Sequence, residues 1–217
     1  MGETLLHRLT ELEELSPETF LLHFERNNFL FQTGQYVVLR NPADGEGREY
    51  SIYSGEHSDR LSVLVREIPG GRFTSFLKKQ LPGALLQIEG PRGFFILDEA
   101  VKRGHPVLFI ATGTGISPFH SMVTTYPGLN YRLLHGVRLV RDAYGRSSFC
   151  QTAHVLCTSR DDGGNFHGRV TDYLHRFPVE ATTICYLCGN AEMIEEATTI
   201  LDSCHVAPEN IRTEVFF

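Results

Sequence analysis

The pattern of apolar and polar residues changes near position 100 of the chain. Before it, apolar runs of four or five residues alternate with segments rich in Gly, Pro and Asn, which is typical of antiparallel barrels and sandwiches. The predicted strands are residues 21–24, 36–39, 50–53, 61–65 and 85–88. One helix is predicted at residues 72–81, ending before Pro82 and Gly83. This half is therefore predicted to be an antiparallel β-barrel.

After position 100, predicted strands and helices alternate. The strands are residues 107–111, 131–135, 153–157, 183–187 and 211–217; a helix follows the first of them, and two more are predicted at 170–177 and 191–203. Such alternation predicts an α/β domain with a doubly wound parallel sheet. We expect two domains, residues 1–99 and residues 100–217.

A glycine-containing loop follows the first strand of the second half. Five apolar residues lead into Thr112, Gly113 and Gly115, and we expect Ser117 to be the N-cap of the next helix, with Pro118 in its first turn. Free N–H groups and the helix dipole at such a turn favour a phosphate. The spacing G-x-G-x-x-P lacks the third glycine of the common dinucleotide fingerprint, and a purely structural strand–helix turn is the alternative.

A second loop, containing Cys188 and Gly189, follows the predicted strand at 183–187. Ligands of open α/β sheets bind beyond the carboxyl ends of the strands, so we expect this loop to border the same pocket as the glycine loop. The alternative for Cys188 is a buried cysteine that serves only as a small hydrophobe.

Arg48, Tyr50 and Ser51 form the sharpest local feature of the β half. Because side chains alternate along a strand, Arg48 and Tyr50 share one face and Ser51 points to the other. An arginine can bind a pyrophosphate, a tyrosine can stack on a planar ring, and a serine can hydrogen-bond a ring nitrogen. An ordinary strand with a surface arginine is the alternative.

Gly70 and Gly71 precede the predicted helix of the β half, and Thr74 and Ser75 lie in its first turns. Two glycines before a helix start form a second candidate phosphate site. A plain loop with a capped helix is the alternative. A candidate phosphate site in each domain is more informative than either alone, since cofactor sites favour domain interfaces.

Composition excludes several other classes of function. The 217 residues carry a net charge of −6, which argues against nucleic acid or an anionic membrane as partner. No apolar stretch approaches the length of a membrane span, and the N-terminus lacks a signal-like pattern.

The cysteines indicate the compartment. Five irregularly spaced cysteines suit a reducing cytoplasm. We expect the protein to be a monomer there. Cys185 and Cys188 have no second ligand pair, so no metal is expected.

Several motifs occur together in one order along the chain. They are Arg48-x-Tyr50-Ser51, Gly71-x-x-Thr74-Ser75, Gly90-Pro91-x-Gly93-x-Phe95-x-Leu97, Ala111-Thr112-Gly113-Thr114-Gly115-Ile116-x-Pro118, Cys188-Gly189-x-x-x-Met193 and an acidic-aromatic tail. The set resembles the ferredoxin–NADP⁺ reductase family over essentially the whole chain. Residues 93–99 are especially similar to the compact bacterial ferredoxin/flavodoxin reductases.

This resemblance implies an FAD-binding barrel followed by an NADP-binding domain. It assigns Arg48, Tyr50 and Ser51 to the flavin's phosphates, ring and N5, and Cys188 to the nicotinamide. Further implied cofactor contacts are Gly71, Thr74, Ser75, Thr112, Gly113, Gly115, Gly189 and, stacking on the flavin, Phe216 or Phe217. Ser51, Cys188 and Glu214 are the implied catalytic residues.

The choice of nucleotide depends on the 2′-phosphate. Ser159 and Arg160 follow a predicted strand, and Arg169 lies nine residues beyond Arg160. Both arginines match positions that bind the 2′-phosphate in NADPH-specific relatives, and arginine suits a dianionic phosphate. Solvated surface arginines are the alternative, with Asp161 or Asp162 as the partner of Arg160. We expect NADPH.

The chain also departs from the family pattern. Phe217 extends the tail by one residue, Ala84 replaces the usual Asp, and the chain is short for the family. The implied function is FAD-dependent electron transfer between NADPH and a ferredoxin or flavodoxin. Alternatives are an NAD(P)H:flavin reductase, the reductase component of an oxygenase, and a non-catalytic nucleotide-binding electron-transfer subunit.

Overall fold

The computed structural model describes residues 3–216 and divides into two compact units. The first unit contains the chain up to Ile96 together with His120–Thr125. The second contains Leu97–Phe119 and the chain from Tyr126 onward.

Six antiparallel strands form the first unit. They are β1 (Glu3–Ser16), β2 (Thr19–Glu25), β3 (Tyr36–Arg40), β4 (Gly47–Ser51), β5 (Arg60–Arg66) and β6 (Leu85–Arg92), with helix α1 (Arg72–Lys78) between β5 and β6. Their order in the sheet is β4-β3-β6-β1-β2-β5. A bridge between Ile52, which follows β4, and Val63 of β5 joins the two edges, so the sheet closes into a barrel. The prediction of an antiparallel barrel is confirmed, although α1 ends at Lys78 rather than at Leu81.

The sequence does not predict β1, the longest strand of the barrel. Its outward positions are rich in glutamate, and one of these side chains reaches across β2: Glu11 accepts from Arg60 of β5 at 2.6 Å. On its inward face the completely buried His7 interrupts the apolar pattern, and its Nδ1 lies 2.8 Å from the Glu25 carbonyl oxygen. Polar residues on both faces therefore obscure the alternation that marks a strand.

A parallel sheet forms the second unit. Its strands are β7 (Val107–Thr112), β8 (Tyr131–Val137), β9 (His154–Thr158), β10 (Phe166–His167), β11 (Ile184–Gly189) and β12 (Ile211–Val215). Its helices are α2 (Glu99–Lys102), α3 (Ser117–Thr125), α4 (Val170–Arg176) and α5 (Ala191–Ser203). The last six residues of α3 belong to the first unit.

The sheet has the order β10-β9-β8-β7-β11-β12, and each pair is parallel. From β7 the chain adds β8, β9 and β10 on one side, then returns to add β11 and β12 on the other. The winding therefore reverses between β7 and β11, and this is where open α/β sheets bind ligands. The doubly wound parallel sheet predicted from the sequence is confirmed. No helix of residues 3–216 is long and apolar enough to cross a membrane.

Candidate functional site

The loop after β7 begins a helical turn earlier than the sequence suggests. Residues Gly113–Ile116 form a 3₁₀ turn that continues directly into α3. The expectation that Ser117 is an N-cap is therefore wrong: its backbone is already helical, and its hydroxyl donates to the Thr114 carbonyl at 2.8 Å. The helical turn starts inside the glycine loop, so the N–H groups of that loop are the ones left without intrahelical acceptors.

Glycines bring the loop after β7 into close contact with the end of β11. The structure places Cys188 and Gly189 in the last residues of β11, rather than in the loop that the sequence predicts after residue 187. A Cβ on Gly115 would lie far inside van der Waals contact of the Cys188 carbonyl oxygen. A Cβ on Gly189 would overlap Thr112 Oγ1, which accepts a hydrogen bond from the Asn190 backbone N–H at 3.3 Å. The structure thus places Thr112, Gly115, Cys188 and Gly189 together at the carboxyl edge of the sheet.

Cys188 and Glu214 are paired across β11 and β12. They are register partners, and Sγ lies 3.9 Å from Oε2. Burial raises the pKa of the Cys188 thiol well above its usual value, and the Glu214 charge raises it further. The thiol therefore stays protonated at neutral pH and donates to the carboxylate.

The end of the chain is held against the same loop. The Phe216 N–H donates to the Gly189 carbonyl at 2.7 Å, and the residue is half-buried. This places Phe216 beside the end of β11, next to Cys188. Phe217, the other candidate for stacking on the flavin, lies outside the described residues.

The three candidate 2′-phosphate residues lie at the end of β9 and just beyond β10. Ser159, Arg160 and Arg169 are all exposed. The Gly168 N–H donates to the Thr158 carbonyl at 2.8 Å, which brings the segment before Arg169 to the end of β9. Arg169 precedes α4, and its N–H donates to Asp172 Oδ2 at 2.7 Å.

The alternative partners of Arg160 are engaged elsewhere. Asp161 accepts from the backbone N–H groups of Val140 at 2.8 Å and Gly163 at 3.2 Å. Asp162 lies 2.9 Å from His167 Nδ1. Within the described part of the chain, neither aspartate forms an ion pair with Arg160, so its guanidinium is available to a ligand.

In the first unit, Glu46 links two arginines. Its Oε1 lies 3.3 Å from Arg48 of β4, and its Oε2 lies 3.2 Å from Arg72, the first residue of α1. Asp44 lies 3.4 Å from the same Arg72 nitrogen. The structure thus joins the β4 motif to the helix start of the second candidate phosphate site. Arg72 is not among the residues predicted from the sequence, although its place directly after Gly71 is a usable signal for phosphate binding.

Tyr50 and Ser51 occupy the end of β4 with different exposure. Tyr50 is partly buried against the barrel core, and burial raises the pKa of its phenol, which therefore stays protonated. Ser51 is buried and pairs with Tyr36 of β3. A ring-stacking phenol and a buried hydroxyl at one strand end suit an aromatic heterocycle.

The hydroxyls of Thr74 and Ser75 hold the loop that leads into α1. Thr74 Oγ1 accepts from the Ile68 N–H at 3.1 Å, and Ser75 Oγ donates to Glu67 at 3.0 Å. A Cβ on Gly71 would lie 2.9 Å from the Ile68 carbonyl oxygen, so this turn requires glycine. These residues shape the turn, while Arg48 and Arg72 supply the positive charge.

Comparison with known proteins agrees with this division of sites. The family model described as "Oxidoreductase FAD-binding domain" matches residues 7–96, and the model described as "Oxidoreductase NAD-binding domain" matches residues 109–199. The anthranilate 1,2-dioxygenase electron transfer component of Acinetobacter baylyi is 30% identical over 99% of this chain and 68% of its own length. The chain belongs to the ferredoxin–NADP⁺ reductase family.

Two further members of the family are similar to this chain. Ferredoxin–NADP reductase B of Sorangium cellulosum is 40% identical over 54% of this chain and 49% of its own length. The crystal structure of a ferredoxin NADP⁺ reductase from Neisseria gonorrhoeae with bound FAD and NADP has a TM-score of 0.87 at 20% identity, covering 100% of both chains. At that identity the structural match shows the fold. The chain studied spans 68% of the length of the Acinetobacter relative and 49% of the length of the Sorangium relative.

The residues of each unit fit the cofactor expected there. In the first, two arginines, a partly buried tyrosine and a buried serine suit FAD. In the second, the loop after β7 packs against the end of β11 too closely for side chains at Gly115 and Gly189, and the backbone N–H groups of that loop suit the phosphates of a pyridine nucleotide. No group of three or more His, Cys, Asp and Glu among residues 3–216 is arranged to hold a metal ion.

Proposed function

We propose that this family member is an NADPH-dependent FAD reductase that exchanges electrons with a small iron–sulfur or flavin protein. The observation that carries the proposal is the edge of the parallel sheet at β7 and β11. There the glycine loop and the Cys188–Glu214 pair lie together, at the point where the winding of the sheet reverses.

FAD and NADPH supply the redox chemistry, in which a hydride passes between nicotinamide and flavin N5 and electrons pass singly to or from the partner. The protein contributes binding, orientation and protons. Ser51 offers a buried hydroxyl to the flavin ring, and Tyr50 offers its ring for stacking. Cys188, protonated at neutral pH, presents a neutral, polarisable side chain beside the nicotinamide, and Glu214 holds the thiol hydrogen in place.

NADPH is preferred over NADH in this proposal because of Arg160 and Arg169. Both are exposed near the end of β9, and neither nearby aspartate neutralises Arg160. Two guanidinium groups suit the dianionic 2′-phosphate that NADH lacks.

The reductase component of an oxygenase is the second candidate function. Three relatives that match 96% to 99% of the chain are named as dioxygenase electron transfer components. In that role, the electron acceptor of this chain would be a ferredoxin or an iron–sulfur oxygenase. In either role we propose a cytoplasmic, monomeric protein, with ferredoxin or flavodoxin as transient partner.

An NAD(P)H:flavin reductase, which uses flavin as a dissociable substrate, is distinguished by the state of the purified protein. Our proposal predicts a yellow protein that releases FAD, with its AMP moiety, in stoichiometric amount on denaturation. A colourless protein that reduces added FMN or riboflavin would support the flavin reductase instead.

A non-catalytic electron-transfer subunit is distinguished by activity. The isolated yellow protein is expected to reduce ferricyanide with NADPH as donor. Absence of dye reduction by fully flavin-loaded protein would contradict our proposal and favour the non-catalytic role.

A further inference from the structure

His135 of β8 is a buried polar residue with no role in the function described so far. It is completely buried, and its Nε2 lies 3.1 Å from the carbonyl oxygen of Gly113 in the glycine loop. The two residues are 22 positions apart and meet because β8 pairs with β7, where His135 is the register partner of Ala111.

The tautomer of His135 follows from this contact. Burial lowers the pKa of His135 to about 3, so at neutral pH the ring carries one proton. Since a carbonyl oxygen only accepts, the proton lies on Nε2. The other nitrogen, Nδ1, is buried with no hydrogen-bond partner among the described residues, so a proton there would be an unpaired donor.

The bond also orients the next peptide group. In a trans peptide the carbonyl and the following N–H point in opposite directions. With the Gly113 carbonyl turned to the buried ring, the Thr114 N–H points away from it. Thr114 lies in the first turn of the helical segment, where N–H groups have no intrahelical acceptor.

We propose that His135 is a positioning residue of the nucleotide loop: its Nε2–H holds the Gly113 carbonyl, and this presents the Thr114 N–H to the pyrophosphate of NADP(H). The inference rests on the proposed function, because it requires a pyridine nucleotide at this loop. His135 does not touch the nucleotide and acts through the backbone.

A conservative and a disruptive substitution separate this role from packing. His135→Leu removes the donor, whereas His135→Gln places an amide Nε2 the same number of bonds from Cα. We expect His135→Leu to weaken NADP⁺ binding about tenfold, the typical effect of one lost hydrogen bond at a charged ligand, and His135→Gln to restore most of the affinity. Affinity for 2′-AMP, which lacks the pyrophosphate, should stay within twofold in both.

His154 provides a matched control. It is also a buried histidine, its ring centroid lies 5.9 Å from that of His135, and its Nε2 has no hydrogen-bond partner within the described chain. His154→Leu should leave NADP⁺ affinity unchanged. An equal loss of NADP⁺ and 2′-AMP affinity in His135→Leu, or an equal effect of His154→Leu, would show a packing role and overturn the inference.

Nitrogen-15 NMR of the unmodified FAD-loaded protein tests the inference even where a variant fails to fold. We expect the proton of His135 on Nε2, and observation of the Nδ1–H tautomer would overturn the proposal. Failure of the unmodified protein to bind NADP⁺ would remove the proposed function as well. Unchanged binding in His135→Leu would remove this inference alone.

Discussion

Cys188 and Glu214 face each other across neighbouring parallel strands, with the thiol sulfur 3.9 Å from a carboxylate oxygen. Because the thiol is completely buried, a bulky side chain at this position would overpack β11, and any loss of rate would not report on the thiol's role in hydride transfer. A smaller side chain is the cleaner test of its role.

We predict that Cys188→Ala slows reduction of bound FAD by NADPH about tenfold, a change worth ~1.4 kcal/mol, because the polarisable thiol that we propose lies beside the nicotinamide is lost. Stopped-flow absorbance measures the rate, and FAD content should not change. Cys157→Ala is the control, since Cys157 is also fully buried but lies in β9. Equal rates in Cys188→Ala and the unmodified protein would rule out this role.

The two carboxylate oxygens of Glu46 are paired with Arg48 and Arg72 at 3.3 and 3.2 Å, so a phosphate bound by these arginines would have to displace Glu46. We predict that Glu46→Gln tightens FAD binding by up to about fivefold, since exposed ion pairs are worth ~0–1 kcal/mol. Flavin fluorescence titration of the apoprotein measures this. Glu49→Gln removes the same charge from an exposed position of β4 and should have a smaller effect. Weaker FAD binding in Glu46→Gln would show that Glu46 positions the arginines instead.

At the scale of elements, the loop after β7 and the end of β11 depend on each other. We predict that Gly115→Ala weakens NADP⁺ binding at least tenfold and lowers the free energy of unfolding by about 1–3 kcal/mol, because its Cβ would overlap the Cys188 carbonyl. Calorimetric binding and urea unfolding measure the two effects.

Gly128→Ala is the matched control for Gly115→Ala. A Cβ on Gly128 would meet no atom within 4 Å, so its binding and stability should be nearly unchanged. Similar behaviour of the two variants would contradict the close packing of the loop after β7 against the end of β11.

The elements differ in how far they could be predicted from the sequence. The parallel strands were predictable because β7 and β11 are short apolar runs buried on both faces. Strand β1 was not, because Glu11 and its neighbours and the buried His7 hide its alternation. The glycine loop was visible as a local motif, but the contacts of His135 with Gly113 and of Glu46 with Arg72 depend on strand pairing and loop packing across the fold.

For the whole molecule, two buried histidines predict acid sensitivity. Burial lowers the pKa of His135 to about 3 and that of His154 to about 4. Since the unfolded chain titrates near pH 6.5, it binds more protons than the folded protein below that pH. Stability is therefore greatest above pH 6.5 and falls as the pH drops toward 4.

We predict that the free energy of unfolding falls between pH 7 and pH 5 by up to about 2 kcal/mol for each of these histidines. Urea unfolding at both pH values measures the change, and His154→Leu should reduce the dependence on pH. A stability that is flat or rises over this range would contradict neutral burial of the two rings.

We propose that NADPH reduces FAD bound to this chain and that Arg160 and Arg169 select NADPH over NADH. Anaerobic titration of the purified yellow protein with NADPH and NADH in parallel measures both properties in one experiment. We predict that NADPH bleaches the oxidised-flavin absorbance stoichiometrically at a much lower concentration than NADH, and that Arg160→Ala loses most of this preference. Equal or better reduction by NADH would contradict the assignment of the two arginines, and no bleaching by either nucleotide would contradict the proposed function.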